Sequence, residues 1–286
     1  MSYLYYALIV LIALVAIAAG AIAYGSWRWE DDSKARLARL EAARIKSSST
    51  RYSESEIESL PVPVQRYFRR VLKDSQAIIA AVSVEHVGTI NMSESGEQWK
   101  PFTSKQRVIT RRAGFDWNAR VMMMPGVPVR VHDAYIAGEG SLRAALLGLM
   151  TVAKFQNSLD LNRGELMRFF MEAVWYPTAL LPSQGVRWEA VDDQSAKGTL
   201  TDDGISLTLL FRFNGDGLID TVRAAERGRL VAGAMTFSPW QGRFWNYALR
   251  DGMLVPLNGE VAWLLPGQEK TYYRGVTSKL TYDFVK

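Results

Sequence analysis

Charged side chains that could act together concentrate in two places in this chain. Glu165, Arg168 and Glu172 recur at spacings of three and four, so on a helix they share one face. Two carboxylates around a guanidinium can carry out general acid–base chemistry. The same spacing also makes an ordinary ion-paired helix surface. The second place is His132-Asp133-Ala134-Tyr135. On a strand, neighbours point to opposite faces, which separates His132 from Asp133 and puts Asp133 beside Tyr135. An acid and a phenol on one face can line a pocket, or close the turn at Gly138 by a structural hydrogen bond. Hydrolase or isomerase chemistry through Asp133, Tyr135, Glu165 and Glu172 is one reading, and no residue is assigned as catalytic.

Other chemistries are excluded by what the chain lacks. It has no cysteine and only two histidines, His86 and His132, so disulfides, thiolate sites and multi-histidine metal centres cannot form. Gly138-x-Gly140 lacks the third glycine of a dinucleotide loop, and there is no Walker loop, Gly-x-Ser-x-Gly elbow or His-Glu-x-x-His. No metal and no cofactor is expected. Seven of the nine tryptophans lie in the body of the chain: Trp99, Trp117, Trp175, Trp188, Trp240, Trp245 and Trp263. They make either a large aromatic core or the wall of a cavity for an apolar ligand. Met122-Met123-Met124 is an adaptable apolar rim or a plain strand end.

Two kinds of element must position these groups. Gly164–Pro182 predicts a helix whose apolar face is Leu166, Phe169, Phe170, Ala173 and Pro177, with Asn162 as N-cap and a stop near Tyr176 before Pro177. Upstream, Tyr3–Trp27 is uncharged, almost wholly apolar and edged by aromatics, as a spanning helix is. A cleaved signal peptide with Ala21-Ile22-Ala23 as its site is the rival. The net charge of +5 does not point to nucleic acid. Residues 28–51 hold seven Lys/Arg and four acids, so most of the excess sits beside the membrane segment and suits anionic headgroups. Basic residues only after the apolar run put the globular domain on the cytoplasmic side of the cell membrane, with the extracytoplasmic side as the alternative. Asp32–Lys46 reads as a solvated helical stalk, ended by a flexible Ser47-Ser48-Ser49-Thr50 joint. Val64, Tyr67, Phe68 and Val71 give a second short helix an apolar side.

From Ile78 onward, short alternating runs end at turn residues, with Asn214-Gly215-Asp216-Gly217 as the strongest hairpin signal. Residues 142–155 read as helix or buried strand. Strand pairs at this spacing imply an antiparallel α+β fold: a large curved, half-barrel-like sheet packed with one or two helices, preceded by a transmembrane helix. The expected organisation is an anchor at 1–27, a charged helix and linker at 28–52, and one globular domain at 53–286.

Several motifs carry a resemblance. Trp99-x-Pro101-Phe102, Gly114-Phe115-x-Trp117, Asp133-x-Tyr135, Glu165-Leu166-x-Arg168 running to Trp175-x-Pro177, Pro239-Trp240-x-Gly242 and Tyr273-Arg274 together resemble an uncharacterised bacterial family, a domain of unknown function often preceded by a membrane segment. The resemblance spans roughly Pro61 to Phe284 and carries over no catalytic residues. A looser architectural similarity is to bacterial lipoprotein carriers, in which a half-barrel wraps helices around an apolar cavity. The leading expectation is a membrane-anchored protein binding an apolar or lipid-like ligand, with membrane lipid as partner. The candidate ligand-binding residues are Trp99, Phe102, Trp117, Asp133, Tyr135, Glu165, Arg168, Glu172, Trp175 and Trp240. An envelope scaffold without a small-molecule site is the third reading.

Overall fold

The alternating runs form strands that all pair antiparallel in one sheet. This computed structural model describes residues 2–231 and 233–286. The strands are β1 (Ile79–Asn91), β2 (Trp99–Ile109), β3 (Gly114–Met124), β4 (Val127–Ile136), β5 (Glu139–Leu146), β6 (Met150–Gln156), β7 (Arg187–Asp192), β8 (Ser195–Asp202), β9 (Ile205–Phe213), β10 (Ile219–Val231), β11 (Ala234–Arg250), β12 (Met253–Leu265) and β13 (Gln268–Phe284). Their order is β6-β5-β4-β3-β2-β1-β13-β12-β11-β10-β9-β8-β7. Strands β6 and β7 are edges, so the sheet is open rather than a closed barrel. The helices are α1 (Ser2–Ala42), α2 (Val62–Val71) and α3 (Leu159–Glu172).

Helix α3 shows that the sheet must curl. It touches β3, β4 and β5 on one side and β9 and β10 on the other. Strands β4 and β10 are seven ladder steps apart, about 34 Å in a flat sheet at about 4.8 Å per step. A helix about 10 Å across reaches both only if the sheet wraps around it. Leu166, Phe169 and Phe170 are buried in that concavity, and the chain continues through 3-10 turns from Ala173 to Gln184, buried almost throughout. Gly242 permits the close approach: a Cβ there would stand 2.4 Å from Sδ of Met171. The α+β fold with a large antiparallel curved sheet is thus as the pattern implies.

Details differ for physical reasons. Helix α3 begins at Leu159, because the Ser158 hydroxyl caps the Leu161 N–H; Asn162 lies inside the helix and accepts from the Gly140 N–H on β5 at 2.8 Å. Residues 142–155 are neither helix nor one strand but most of the β5–β6 hairpin. The runs 233–237 and 243–249 fuse into β11 across Pro239, which cannot donate to a ladder. The partner strand bulges there: Arg227 pairs with Ser238 and Ala224 with Trp240, so Ala225 and Glu226 face Pro239.

The largest departure is the charged segment after the apolar run. It is no solvated stalk. It continues α1 and docks on the convex face of β2–β5. Residues 29, 33, 36 and 40 make one helical stripe. Trp29 and Leu40 are buried, and Trp29 stacks on His132 with ring centroids 4.1 Å apart. The Trp29 indole donates to Asn118 Oδ1 at 3.2 Å, Ser33 Oγ bonds His132 Nε2 at 2.7 Å, and Arg36 Nε donates to Asp116 Oδ1 at 2.9 Å. Arg143 on β5 returns a bond to Asp32 at 2.7 Å, and Arg107 on β2 to Glu41 at 2.8 Å. Leu40 joins Ala81, Ile109, Ala134 and Ile136 in a small second core. The stripe is mostly polar, so no apolar periodicity marks it in the sequence.

Candidate functional site

The charged face of α3 points inward, towards β2–β4, and not to solvent. Arg168 is its hub. Its Nη1 donates to Asp133 Oδ2 at 2.6 Å and its Nε to Glu172 Oε1 at 2.8 Å. Gln106 on β2 donates to Glu172 Oε2 at 2.6 Å. The guanidinium carbon lies 4.8 Å from the Phe115 ring centroid and 5.0 Å from that of Trp117. Glu172 closes α3, where the helix dipole disfavours an anion; Arg168 and Gln106 offset that. Glu165 faces the opposite wall, where Arg227 on β10 donates to its Oε1 at 3.2 Å while stacking 4.2 Å over the Trp240 ring. Burial, then the Asp133 charge, pushes the Glu165 carboxyl up to about 8, against the pull of Arg227 and Arg168. These groups are therefore a buried cluster inside the sheet, ion-paired at Arg168 and hydrogen-bonded at Arg227, rather than the surface pairs that their spacing most simply suggests.

Above this cluster lies an apolar cavity of about 740 Å³. That is within the roughly 300–1,000 Å³ of small-molecule sites. Its walls are aliphatic side chains of β3, β4 and β5 on one side and Trp240, Phe244, Val261, Tyr272 and Tyr273 on the other, with Met171 and Trp175 from the α3 segment. Trp175 and Trp240 are held by their indole N–H groups, which donate to Pro256 O at 3.0 Å and to the Tyr272 hydroxyl at 2.9 Å. Asp133, Arg168, Glu172, Arg227 and Glu260 are its polar lining. Arg168 is engaged by the carboxylates of Asp133 and Glu172, and Arg227 by Glu165, whose carboxyl is kept largely protonated at neutral pH by burial.

Six of the ten candidate residues meet at this cavity: Trp117, Asp133, Arg168, Glu172, Trp175 and Trp240. Glu165 lies just behind it through Arg227. Phe102 is buried one layer back, its ring 5.2 Å from Tyr273 and 6.0 Å from Trp117. Trp99 is elsewhere, under Arg274 at 4.6 Å near the β1–β2 turn. Tyr135 shares the inner face of β4 with Asp133 but points to the other end, donating to Asp202 Oδ2 at 2.9 Å. His132 is on the convex face, as strand alternation requires. Met123 and Met124 do line the cavity, whereas Met122 does not.

Arg227, Glu260, Gln106, Met171 and the aliphatic wall escape a reading of motifs. Arg227 is the instructive case. Simple alternation on β10 from Val222 and Ala224 turns Glu226 inward; the bulge shifts the register by one and turns Arg227 inward instead. Pro239 on the neighbouring strand is the signal that marks it. A second buried polar group is also invisible in sequence. His86, Ser104 and Thr277 are cross-strand neighbours on β1, β2 and β13, and none of their side-chain polar atoms has a hydrogen-bond partner among the described residues. His86 packs on Trp175 at 4.8 Å, and burial, with Arg168 nearby, pushes its imidazole down to about 3.

A family model, described as a family of unknown function (DUF6920), matches residues 58–282. The chain belongs to the DUF6920 family. The matched span of this DUF6920 chain begins after α1 and contains the sheet, α3 and every cavity residue. Comparison with curated proteins gives no match. Among solved structures, a LolA superfamily protein, NE2245 from Nitrosomonas europaea, aligns with a TM-score of 0.33 at 12% identity, covering 72% of this chain and 87% of that one.

Proposed function

We propose that this DUF6920 protein is anchored in a membrane by α1 and holds an apolar, lipid-like ligand in the cavity between the curved sheet and α3. The observation that carries this reading is the cavity itself: about 740 Å³, with aliphatic and aromatic walls and a charge-balanced floor. A ligand that fits such a space is uncharged where it is enclosed, as an acyl chain is, and keeps any polar head at the open end. The anchor rests on the uncharged run Tyr3–Trp27, part of a helix long and apolar enough to cross a membrane and exposed from Tyr3 to Tyr24. Basic residues that follow the run favour a cytoplasmic domain.

The carboxylate readings have less support. Asp133 and Glu172 are engaged by Arg168, Glu165 by Arg227, and Tyr135 by Asp202. An envelope scaffold without a ligand gives no reason for an open apolar interior.

The test is retention through purification. The full chain and an Ala144→Trp variant, whose indole would fill the cavity from β5, are purified in the same detergent and extracted with organic solvent for mass spectrometry. The expected result is a lipid species held by the native protein and depleted about tenfold in the variant, equivalent to about 1.4 kcal/mol. Equal lipid in both, with equal unfolding midpoints, rejects the reading.

A further inference from the structure

The open end of the cavity and the membrane helix lie at the same end of the molecule. The β1–β2, β3–β4 and β5–β6 hairpins turn at that end, the first carrying Glu94 and Glu97 and the other two uncharged at their tips. Residues 121–129, Val-Met-Met-Met-Pro-Gly-Val-Pro-Val, join β3 to β4; residues 144–153, Ala-Ala-Leu-Leu-Gly-Leu-Met-Thr-Val-Ala, join β5 to β6. Neither contains a charge, and both supply cavity-lining residues. Side chains at the mouth are bare: Met124 is 62% exposed, Met150 59% and Val152 54%.

Each uncharged tip is bracketed by cations, Arg120 and Arg130 around the first, Arg143 and Lys154 around the second. Arg120 and Arg130 stand directly opposite each other across β3 and β4, an unfavourable pairing without an intervening anion. Among the described residues, no carboxylate lies within ion-pair distance of Arg28, Arg120, Arg130 or Lys154.

Helix α1 fixes where these tips sit relative to a bilayer. Arg130 donates to the Ser26 hydroxyl at 3.1 Å. At Gly25 the helix meets the second tip: a Cβ there would lie 2.6 Å from Leu149 Cγ and 3.0 Å from Leu147 O. Gly25 belongs to the uncharged run, so Leu147–Leu149 is level with the end of the membrane segment. The Leu147 N–H donates to Pro128 O at 2.9 Å, and the first tip extends two residues further, to Gly126. At about 3.3 Å per residue that is about 7 Å deeper, within the roughly 5–10 Å to which interfacial segments bury their apolar faces.

We propose that the two tips insert into the leaflet that holds α1, so that the cavity opens into the bilayer and takes its ligand from it. The cation bracket around Ser26 then meets phosphate headgroups while a lipid enters chain first. The proposal rests on the apolar-ligand reading for its cargo and on the helix contacts for its geometry.

Nitroxide accessibility tests it. The chain has no cysteine, so a label at Met124→Cys, Met150→Cys or the distant, exposed Lys197→Cys is unique. The full chain is reconstituted in vesicles of phosphatidylethanolamine and phosphatidylglycerol. Labels at 124 and 150 are expected to collide preferentially with oxygen over a water-soluble nickel chelate, and the label at 197 the reverse. Labels at 124 and 150 as open to the chelate as that at 197 overturn the docking, even where extraction finds a lipid. Inserted labels support the docking even where extraction finds none, in which case the cargo reading alone fails. A double variant, Met124→Asp with Met150→Asp, changes two tip side chains that are 62% and 59% exposed. It is expected to lower the recovered lipid about tenfold with an unchanged unfolding midpoint, and unchanged lipid recovery overturns entry through this mouth.

Discussion

Glu165→Gln separates the electrostatics of the cluster from its packing. The side chain is buried, its Oε1 accepts from Arg227 at 3.2 Å, and its Oε2 has no partner. A glutamine keeps the volume and the accepting oxygen and removes the proton equilibrium. In the folded protein the carboxyl titrates at about 8 against an ordinary 4.5. A carboxyl raised by folding contributes stability that is complete below its unfolded value and lost as pH rises through the folded one. Both histidines are shifted the other way, so they are silent above about pH 6.5. From pH 6.5 to 8 the native protein should therefore lose about 2 kcal/mol, at about 1.4 kcal/mol per unit, and Glu165→Gln should stay flat. Urea midpoints of the full chain in detergent, followed by tryptophan emission, measure both slopes. If the two proteins run parallel across this range, Glu165 is not the buried, proton-holding group inferred from its surroundings.

Other substitutions probe the remaining supports. His86 titrates at about 3 against an ordinary 6.5, so its contribution is complete above pH 6.5 and is lost as the pH falls towards 3; His86→Leu should shrink the drop in urea midpoint between pH 6.5 and 5. Arg168→Met leaves Asp133 and Glu172 without their guanidinium and should cost about 3–5 kcal/mol at pH 7, part of it recovered when Asp133→Asn and Glu172→Gln are added, as a coupled cluster requires; full additivity of the three midpoints would show no coupling. Trp29→Ala removes the ring stacked on His132 and should release the charged half of α1, seen as faster tryptic cleavage at Arg36 and Arg39; an unchanged digest would mean that the polar stripe alone holds the helix.

Most of the sheet was legible because it obeys one rule: Val129, Val131 and Asp133 alternate with their neighbours, and so do Leu207, Leu209 and Phe211. The α3 core face was legible through Leu166, Phe169 and Phe170. Three kinds of information were not. Direction was one, since the spacing of Glu165, Arg168 and Glu172 places them on a face without saying what the face meets. Register was another, since one bulged pair at Ala225 and Glu226 exchanges which of Glu226 and Arg227 reaches the site. Polar docking was the third, since Ser33, Arg36 and Glu41 find Asp and His partners or Arg107 about 65 to 105 positions away, and a charged helix with two large apolar contacts has the sequence of a solvated one.

The cluster at the cavity floor is hard to account for as a stability device. Buried ion pairs are often matched or bettered by apolar side chains of the same volume, and an all-apolar floor would extend the walls already present. What such a floor cannot do is hold water. Water entering the space needs two or more polar partners to be stable there, and Asp133, Arg168, Glu172 and Glu260 are polar side chains that line it. On the apolar-ligand reading, the floor therefore lowers the cost of the ligand-free state, because the cavity can hydrate from its deep end as a chain withdraws through the mouth.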